Sequence, residues 1–141
     1  MEFRSEKPLR DNERSLIELL QSLDTKYPGI LIIVEGQRDV RILRNLGVRL
    51  KIIKTQTQQT RIQLIDHIVA EAGPDKEVLI LTDFDAEGSE LAIFLKHRLE
   101  PHRIKILEGV RVRIGNLMGN WRCIEEMVAL FKRADSPEPS R

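Results

Sequence analysis

Three carboxylates are set apart by their positions. Glu35 lies in VEG, and Asp83 and Asp85 lie in TDFDAEG, each motif following an apolar run that reads as a buried parallel strand. Open α/β sheets gather their sites at the carboxyl ends of such strands. Three negative groups on one rim repel one another unless a cation lies between them, and a hard divalent ion with oxygen ligands, Mg2+, is the simplest candidate. Asp83 and Asp85 are separated by one residue, so at an extended strand end they point the same way and either touch one ion or bridge two. Glu35 faces the pair across the rim if the first and third strands are neighbours, placed to complete the metal shell or to move a proton. Because Mg2+ keeps several waters and commonly joins protein carboxylates to substrate phosphate, phosphodiester chemistry is its expected use. Gly36 and Gly88 are read as points where backbone approaches a bound phosphate, with the helix after Gly88 adding a favourable dipole. Acids after strands also serve as helix caps, and Asp39, Glu87 and Glu90 are read that way. Capping accounts for one acid per helix and leaves the three-acid convergence unexplained.

The elements that must position these groups follow from apolar periodicity. ILIIV at 30–34 and EVLIL at 77–81 are continuous apolar runs, as expected for strands covered on both faces. A further strand is expected at 50–53, and the alternation of Val110, Val112 and Ile114 with Arg111 and Arg113 predicts an edge strand at 110–114. Helical spacing predicts helices over 15–26, 38–46, 60–72, 87–99 and 122–133. Ile62, Ile65, Val69 and Ala72 are expected to share the inner face of the third, and Ile124, Met127, Val128 and Phe131 that of the last. The order predicts an α/β, Rossmann-like domain with about four mainly parallel strands and helices on both faces. We divide the chain into a helical extension at 1–28, a core at 29–120, and a last helix with a disordered tail at 121–141. The opening ten residues are expected to be loose.

The 141 residues suffice for one domain, and 41% hydrophobic with 32% charged residues is ordinary for a soluble globular chain. No apolar run has the length of a membrane span and the amino terminus lacks a secretory pattern, so a cytoplasmic protein without membrane contact is expected. One cysteine, Cys123, excludes an intrachain disulfide framework and reads as inert core filler. His67, His97 and His102 show no zinc-ligand spacing. The net charge of +1 hides a segregation. Residues 38–61 carry seven lysines and arginines against Asp39 alone, whereas 62–95 carry eight acids opposed only by Lys76. A basic surface beside an acidic site fits a polyanion partner, RNA or DNA, with Arg38, Arg41, Arg44 and Lys54 as candidate contacts. The same charges also fit a scatter over solvated faces.

Taken together, the motifs resemble the Toprim domain, the core shared by type IA and type II topoisomerases, bacterial primases, M5 ribonucleases, overcoming-lysogenisation-defect nucleases and certain recombination proteins. IIVEGQRDVRIL resembles the first family motif through Glu35, Gly36 and Asp39, and LILTDFDAEGSELA the second through Asp83, Asp85 and Gly88. Thr82, Glu87, Glu90 and Ala92 extend the likeness toward the topoisomerase form TDPDREGEAIA, with Phe84 in place of the proline between the aspartates. The likeness spans about 29–117. It implies Mg2+ held by Glu35, Asp83 and Asp85, with Glu35 and Asp83 on a first ion, Asp83 and Asp85 sharing a second, and Mn2+ able to substitute. Tyr27, the single tyrosine, precedes the first strand and does not stand where a topoisomerase nucleophile would. The chain is most similar to small stand-alone Toprim proteins of archaea and bacteria.

Two functions from different classes follow. One is a Mg2+-dependent nuclease, or related phosphotransfer enzyme, with Glu35 in proton transfer. The other is a non-catalytic module that docks nucleic acid or a larger processing complex of protein partners. An aspartyl-phosphate phosphatase is disfavoured, because that pattern wants its DxD after the first strand with Thr two residues on, where Glu87 stands here.

Overall fold

A computed structural model describes residues 7–137. Helix α1 (Asp11–Lys26) leads into strand β1 (Leu31–Val34), then α2 (Gln37–Asn45), β2 (Lys51–Lys54), α3 (Arg61–Ala72), β3 (Glu77–Ile80) and α4 (Ala86–Leu99). A short 3-10 turn at Glu100–His102 precedes β4 (Lys105–Ile106), α5 (Glu108–Leu117) and a closing 3-10 helix, Ile124–Lys132. The four strands form one parallel sheet in the order β2-β1-β3-β4.

The unbroken apolar runs serve two cores at once, because successive strand side chains point to opposite faces. Ile32 and Val34 enter a cluster with Leu79, Leu81, α1 and α2, whereas Leu31 and Ile33 enter a second cluster with Val78, Ile80, α3 and α4. The chain steps one way from β1 to β2 and the other way from β2 to β3 and β4. Right-handed crossovers therefore put α2 on one face and α3 and α4 on the other. The reversal lies between β1 and β3, and the carboxyl ends of these two strands frame the crevice where such folds hold ligands.

Several expectations change. The alternating segment at 110–114 is not an edge strand but part of α5. Spacing of four residues also fits a helix, and Ile114 and Met118 pack inward while Val112 is 61% exposed. The fourth strand is instead the two-residue β4, too short to show any periodicity. On α3 the inner face is Leu64, Ile65, Ile68 and Ala72, and Ile62 is 74% exposed. The last helix is 3-10, so with three residues per turn Ile124, Met127 and Leu130 share the buried side and Val128 does not.

Helix α1 starts at Asp11, four residues before the expected point, because Glu13 accepts the Arg10 N–H at 2.9 Å and closes the first turn. Its Leu16, Leu20 and Leu23 are fully buried in the cluster that holds β1. The start of the carboxyl-terminal tail is packed rather than disordered. The Ala134 N–H donates to the Lys7 carbonyl, Asp135 accepts from the Leu9 N–H and pairs with Arg14, and Ser136 is buried. Glu13, itself buried, and the part-exposed Arg133 form a two-bond pair at 3.1 and 2.8 Å that joins α1 to the end of the 3-10 helix. The rest of the tail and most of the opening stretch lie outside the described residues. Among the described residues, no helix is long and apolar enough to cross a membrane.

Candidate metal centre

Glu35 directly follows β1, and Asp83 lies three residues past the end of β3, its hydrogen-bonded neighbour. The condition for Glu35 to face the pair, that the first and third strands are neighbours, is met. Glu35 Oε2 accepts the Asp83 backbone N–H at 2.7 Å, so the carboxylate of one strand end orders the backbone of the next. Asp83 Oδ1 accepts the Ile124 N–H at 2.9 Å, and Asp85 Oδ1 accepts the Gly88 N–H at 2.8 Å as the cap of α4. Each of the three carboxylates thus has one oxygen anchored by backbone. A carboxylate offers about four lone-pair sites, so all three keep acceptor capacity for a further ligand.

Asp83 and Asp85 converge, with ligand atoms within 4.8 Å of one another and of the Cys123 thiol. Strand alternation is not the cause, because both lie beyond β3. Asp85 is turned by its capping role and Asp83 by the Ile124 amide. Glu35 stands beside this trio on the β1 side rather than within it. Burial foremost, followed by the charges of Asp83, Asp85 and Asp39, pushes the Glu35 pKa up from its ordinary value against the opposing Asp83 N–H. Asp39 is buried and accepts the Gly36 N–H at 3.1 Å, which is the capping role read from the sequence.

Gly88 has a different purpose from the one expected. A Cβ there would lie 2.0 Å from the Asp83 carbonyl oxygen and 2.5 Å from its carbon, so α4 begins in direct contact with the backbone of the second motif. Thr82, fully buried, donates its hydroxyl to the Gly88 carbonyl at 2.7 Å and ties the same two segments. Asp85 already caps the positive end of α4, so that end faces a carboxylate.

Sequence reasoning missed two residues. Arg111, expected on an edge strand, lies on α5, and its guanidinium donates to the carbonyls of Ile80 (3.0 Å), Thr82 (2.8 Å) and Asp83 (3.0 Å). Strand β4 stops after two residues, leaving the carbonyls of β3 and its extension open on that edge, and Arg111 fills the place of the missing strand. It also lies 4.2 Å from the centroid of the Phe84 ring. Burial lowers its pKa from the ordinary value, while Glu35 and Asp83 oppose that change. Cys123, read as core filler, is half-buried with its sulfur 3.9 Å from Asp85 Oδ2. Its thiol is pushed up to about 11, first by burial and then by Asp83 and Asp85. Neither residue carried a signal in the sequence, since both reach the site through contacts tens of residues apart.

The expected nucleic-acid contacts are distributed unevenly. Arg44 holds the carbonyls of Val48 and Leu50 at 2.9 and 2.7 Å and so braces the α2–β2 connection. Arg38 pairs with Glu125 at 2.7 Å on the surface. Arg41 is exposed on α2, and Lys54 is half-buried at the end of β2.

The Toprim domain family matches residues 30–115, which contain all three carboxylates. A UPF0292 protein of Thermococcus gammatolerans is 35% identical over 127 residues, covering 89% of this chain and 90% of the relative. A UPF0292 protein of Pyrococcus horikoshii is 45% identical over 103 residues, covering 72% and 74%. One of Archaeoglobus fulgidus is 30% identical over 130 residues, covering 91% and 98%. The fold also resembles a solved structure of a protein from Aquifex aeolicus, with a TM-score of 0.66 at 20% identity over 83% of this chain and 99% of that one.

Proposed function

The chain belongs to the Toprim family, whose members act on nucleic acid with divalent metal, and from that premise we propose that it is a Mg2+-dependent nuclease cleaving phosphodiester bonds of RNA or DNA. The observation that carries the reading is the Glu35–Asp83 contact across the β1/β3 crevice, with Asp85 converging on Asp83. Three hard oxygen donors, each anchored by a backbone N–H, fit Mg2+ or Mn2+. Glu35, Asp83 and Asp85 would hold the ion, and Asp83 with Asp85 would share a second. Bound there, the metal supplies neutralisation of phosphate charge and a more acidic water. Cys123 stays outside this set, because a protonated, soft thiol is a poor ligand for a hard ion.

The residues of the chain have separate tasks. Glu35, held through one oxygen by the Asp83 amide, takes a proton from the attacking water with the other. The new P–O bond forms as the ester P–O bond breaks, and solvent returns a proton to the leaving oxygen. Arg111 fixes the Asp83 carbonyl and so keeps the second motif from shifting under the repulsion of its own acids.

A panel of single- and double-stranded RNA and DNA, incubated with Mg2+, with Mn2+ and with chelator, tests the proposal. Cleavage is expected with either ion, to vanish with chelator, and to fall by at least about 100-fold in Asp83→Asn, the scale of losing one preorganised charge-stabilising group. Binding of nucleic acid without cleavage on any substrate would replace the nuclease by the docking module.

A further inference from the structure

The DxD loop has a second side. Between α4 and α5 lies a cleft of about 340 Å3 lined by Phe84, Ser89, Arg111, Gly115, Asn116 and Arg122 among others, and no carboxylate lines it among the described residues. Its polar wall is two guanidiniums, a hydroxyl and an amide. It opens one residue from both Asp83 and Asp85, since Phe84 sits between them.

Neither of the two guanidiniums makes a direct ion pair among the described residues, although Glu35 and Asp83 act on the charge of Arg111 through space. Arg111 uses three N–H groups on carbonyls, of the five a guanidinium carries, and among the described residues no carboxylate lies within ion-pair distance of it. The Arg122 guanidinium donates to the carbonyls of Gly119 and Trp121, while its backbone N–H donates to Glu126. Elsewhere many cations are matched, as in Arg38–Glu125, Lys96–Glu108, Arg103–Asp75 and Arg133–Glu13. Guanidiniums without a direct carboxylate partner, facing a cleft of donors, suit a phosphate group.

We propose that this cleft is a phosphate subsite for a single strand of the substrate, adjoining the carboxylate centre. The inference rests on the reading of the substrate as nucleic acid. Its volume is within the range of small-ligand sites, enough for one nucleotide and too small for a duplex. The Phe84 ring is covered by Arg111 on one side and abuts Gly115, where a Cβ would come within 2.9 Å of it. The ring packs against Arg111 and orients it. The polar lining of two guanidiniums, a hydroxyl and an amide is suited to backbone phosphate. The strand approaches over α4 and α5 rather than over the arginines of α2.

Fluorescence anisotropy of short labelled single strands in Mg2+, with strand integrity checked on a gel, tests the subsite in the full chain. Arg122→Ala is expected to weaken binding by about tenfold and Asn116→Ala by about threefold, the range for a charged and a neutral hydrogen bond. Arg103→Ala, at the opposite rim of the sheet, should remain within about twofold. If Arg122→Ala proves unstable, Arg122→Gln and Asn116→Ala carry the test. Unaltered strand affinity in the cleft variants overturns the subsite alone. A mononucleotide bound as tightly as the strand, with the same Arg122 dependence, overturns the assignment to a strand. No strand binding by the unsubstituted protein overturns the subsite and the nucleic-acid reading together, whereas Arg122-dependent binding without cleavage sinks only the nuclease.

Discussion

Gly88→Ala is the substitution whose outcome the structure fixes most tightly. In a helix interior, Gly to Ala is ordinarily stabilising by about 0.5–1 kcal/mol. Here the added Cβ would sit 2.0 Å from the Asp83 carbonyl oxygen, 2.5 Å from the carbonyl carbon and 2.8 Å from Cα. All three atoms are backbone, so relief requires the start of α4 or the Asp83 peptide to move by about 1 Å or more, given normal contacts of ~3.5 Å. That peptide is held by Glu35 on its N–H and by Arg111 on its carbonyl, and the Thr82–Gly88 bond crosses the same gap. Overpacking of this kind costs about 1–3 kcal/mol, and lost hydrogen bonds add about 1 kcal/mol each. A net loss of about 2–4 kcal/mol lowers the melting temperature by roughly 6–16 °C for a domain of this size. Gly109→Ala is the control, because nothing lies within 4 Å of its added Cβ. It should raise the melting temperature by a few degrees. Thermal denaturation of the two variants reads the difference, and a Gly88→Ala protein as stable as the parent would refute the close-contact argument.

Glu35→Gln should leave metal-free protein as stable as the parent or more so at pH 7. The folded pKa of Glu35 is raised, so its stabilising form is complete below the unfolded pKa and lost as pH rises through the folded one; a melting temperature several degrees lower without metal would contradict this. Glu13→Gln should cost about 2–3 kcal/mol, less than a fully buried pair because Arg133 keeps 20% of its side chain in solvent. Arg133 lowers the Glu13 pKa, so the difference between variant and parent should be constant near neutrality and shrink as pH falls below about 4, where urea titrations at several pH values would detect it. Arg111→Lys keeps the charge but cannot span three carbonyls, and should lose about 2 kcal/mol in the same titrations; an unchanged midpoint would remove Arg111 as the substitute for a strand. Cys123→Ala should alter Mg2+ affinity by less than about twofold in calorimetry, and a tenfold loss would place the thiol among the ligands.

The central strands and their carboxylates were legible because β1 and β3 are buried on both faces. A chain that serves two cores leaves no polar position in ILIIV or VLIL, and the first acid after each run stands out. Nothing comparable marks β4, whose pairing to β3 covers Lys105 and Ile106 only. The apolar residues at 110, 112 and 114 satisfied the strand period and, through 110 and 114, the helical one. The helix prevailed because Ile114 and Met118 have a core to enter and Val112 has none. Arg111 became part of the site for a reason that exists only in three dimensions, the open edge left by a two-residue strand. Cys123 likewise arrives from the far end of the chain, with Arg122 accepting the Phe84 N–H at 2.5 Å and Ile124 donating to Asp83. Glu13, three residues after Arg10, is a local mark of the start of α1, since its carboxylate accepts the Arg10 N–H.

Single-turnover cleavage of a labelled strand by Glu35→Gln in Mg2+ isolates the contribution of the Glu35 carboxylate. The amide oxygen can still accept the Asp83 N–H, so the backbone is kept while the negative charge and the proton acceptor are lost. The expected result is a folded, strand-binding protein whose cleavage rate falls by about 100-fold or more. Cleavage at the parental rate, with the same dependence on Mg2+, would contradict it.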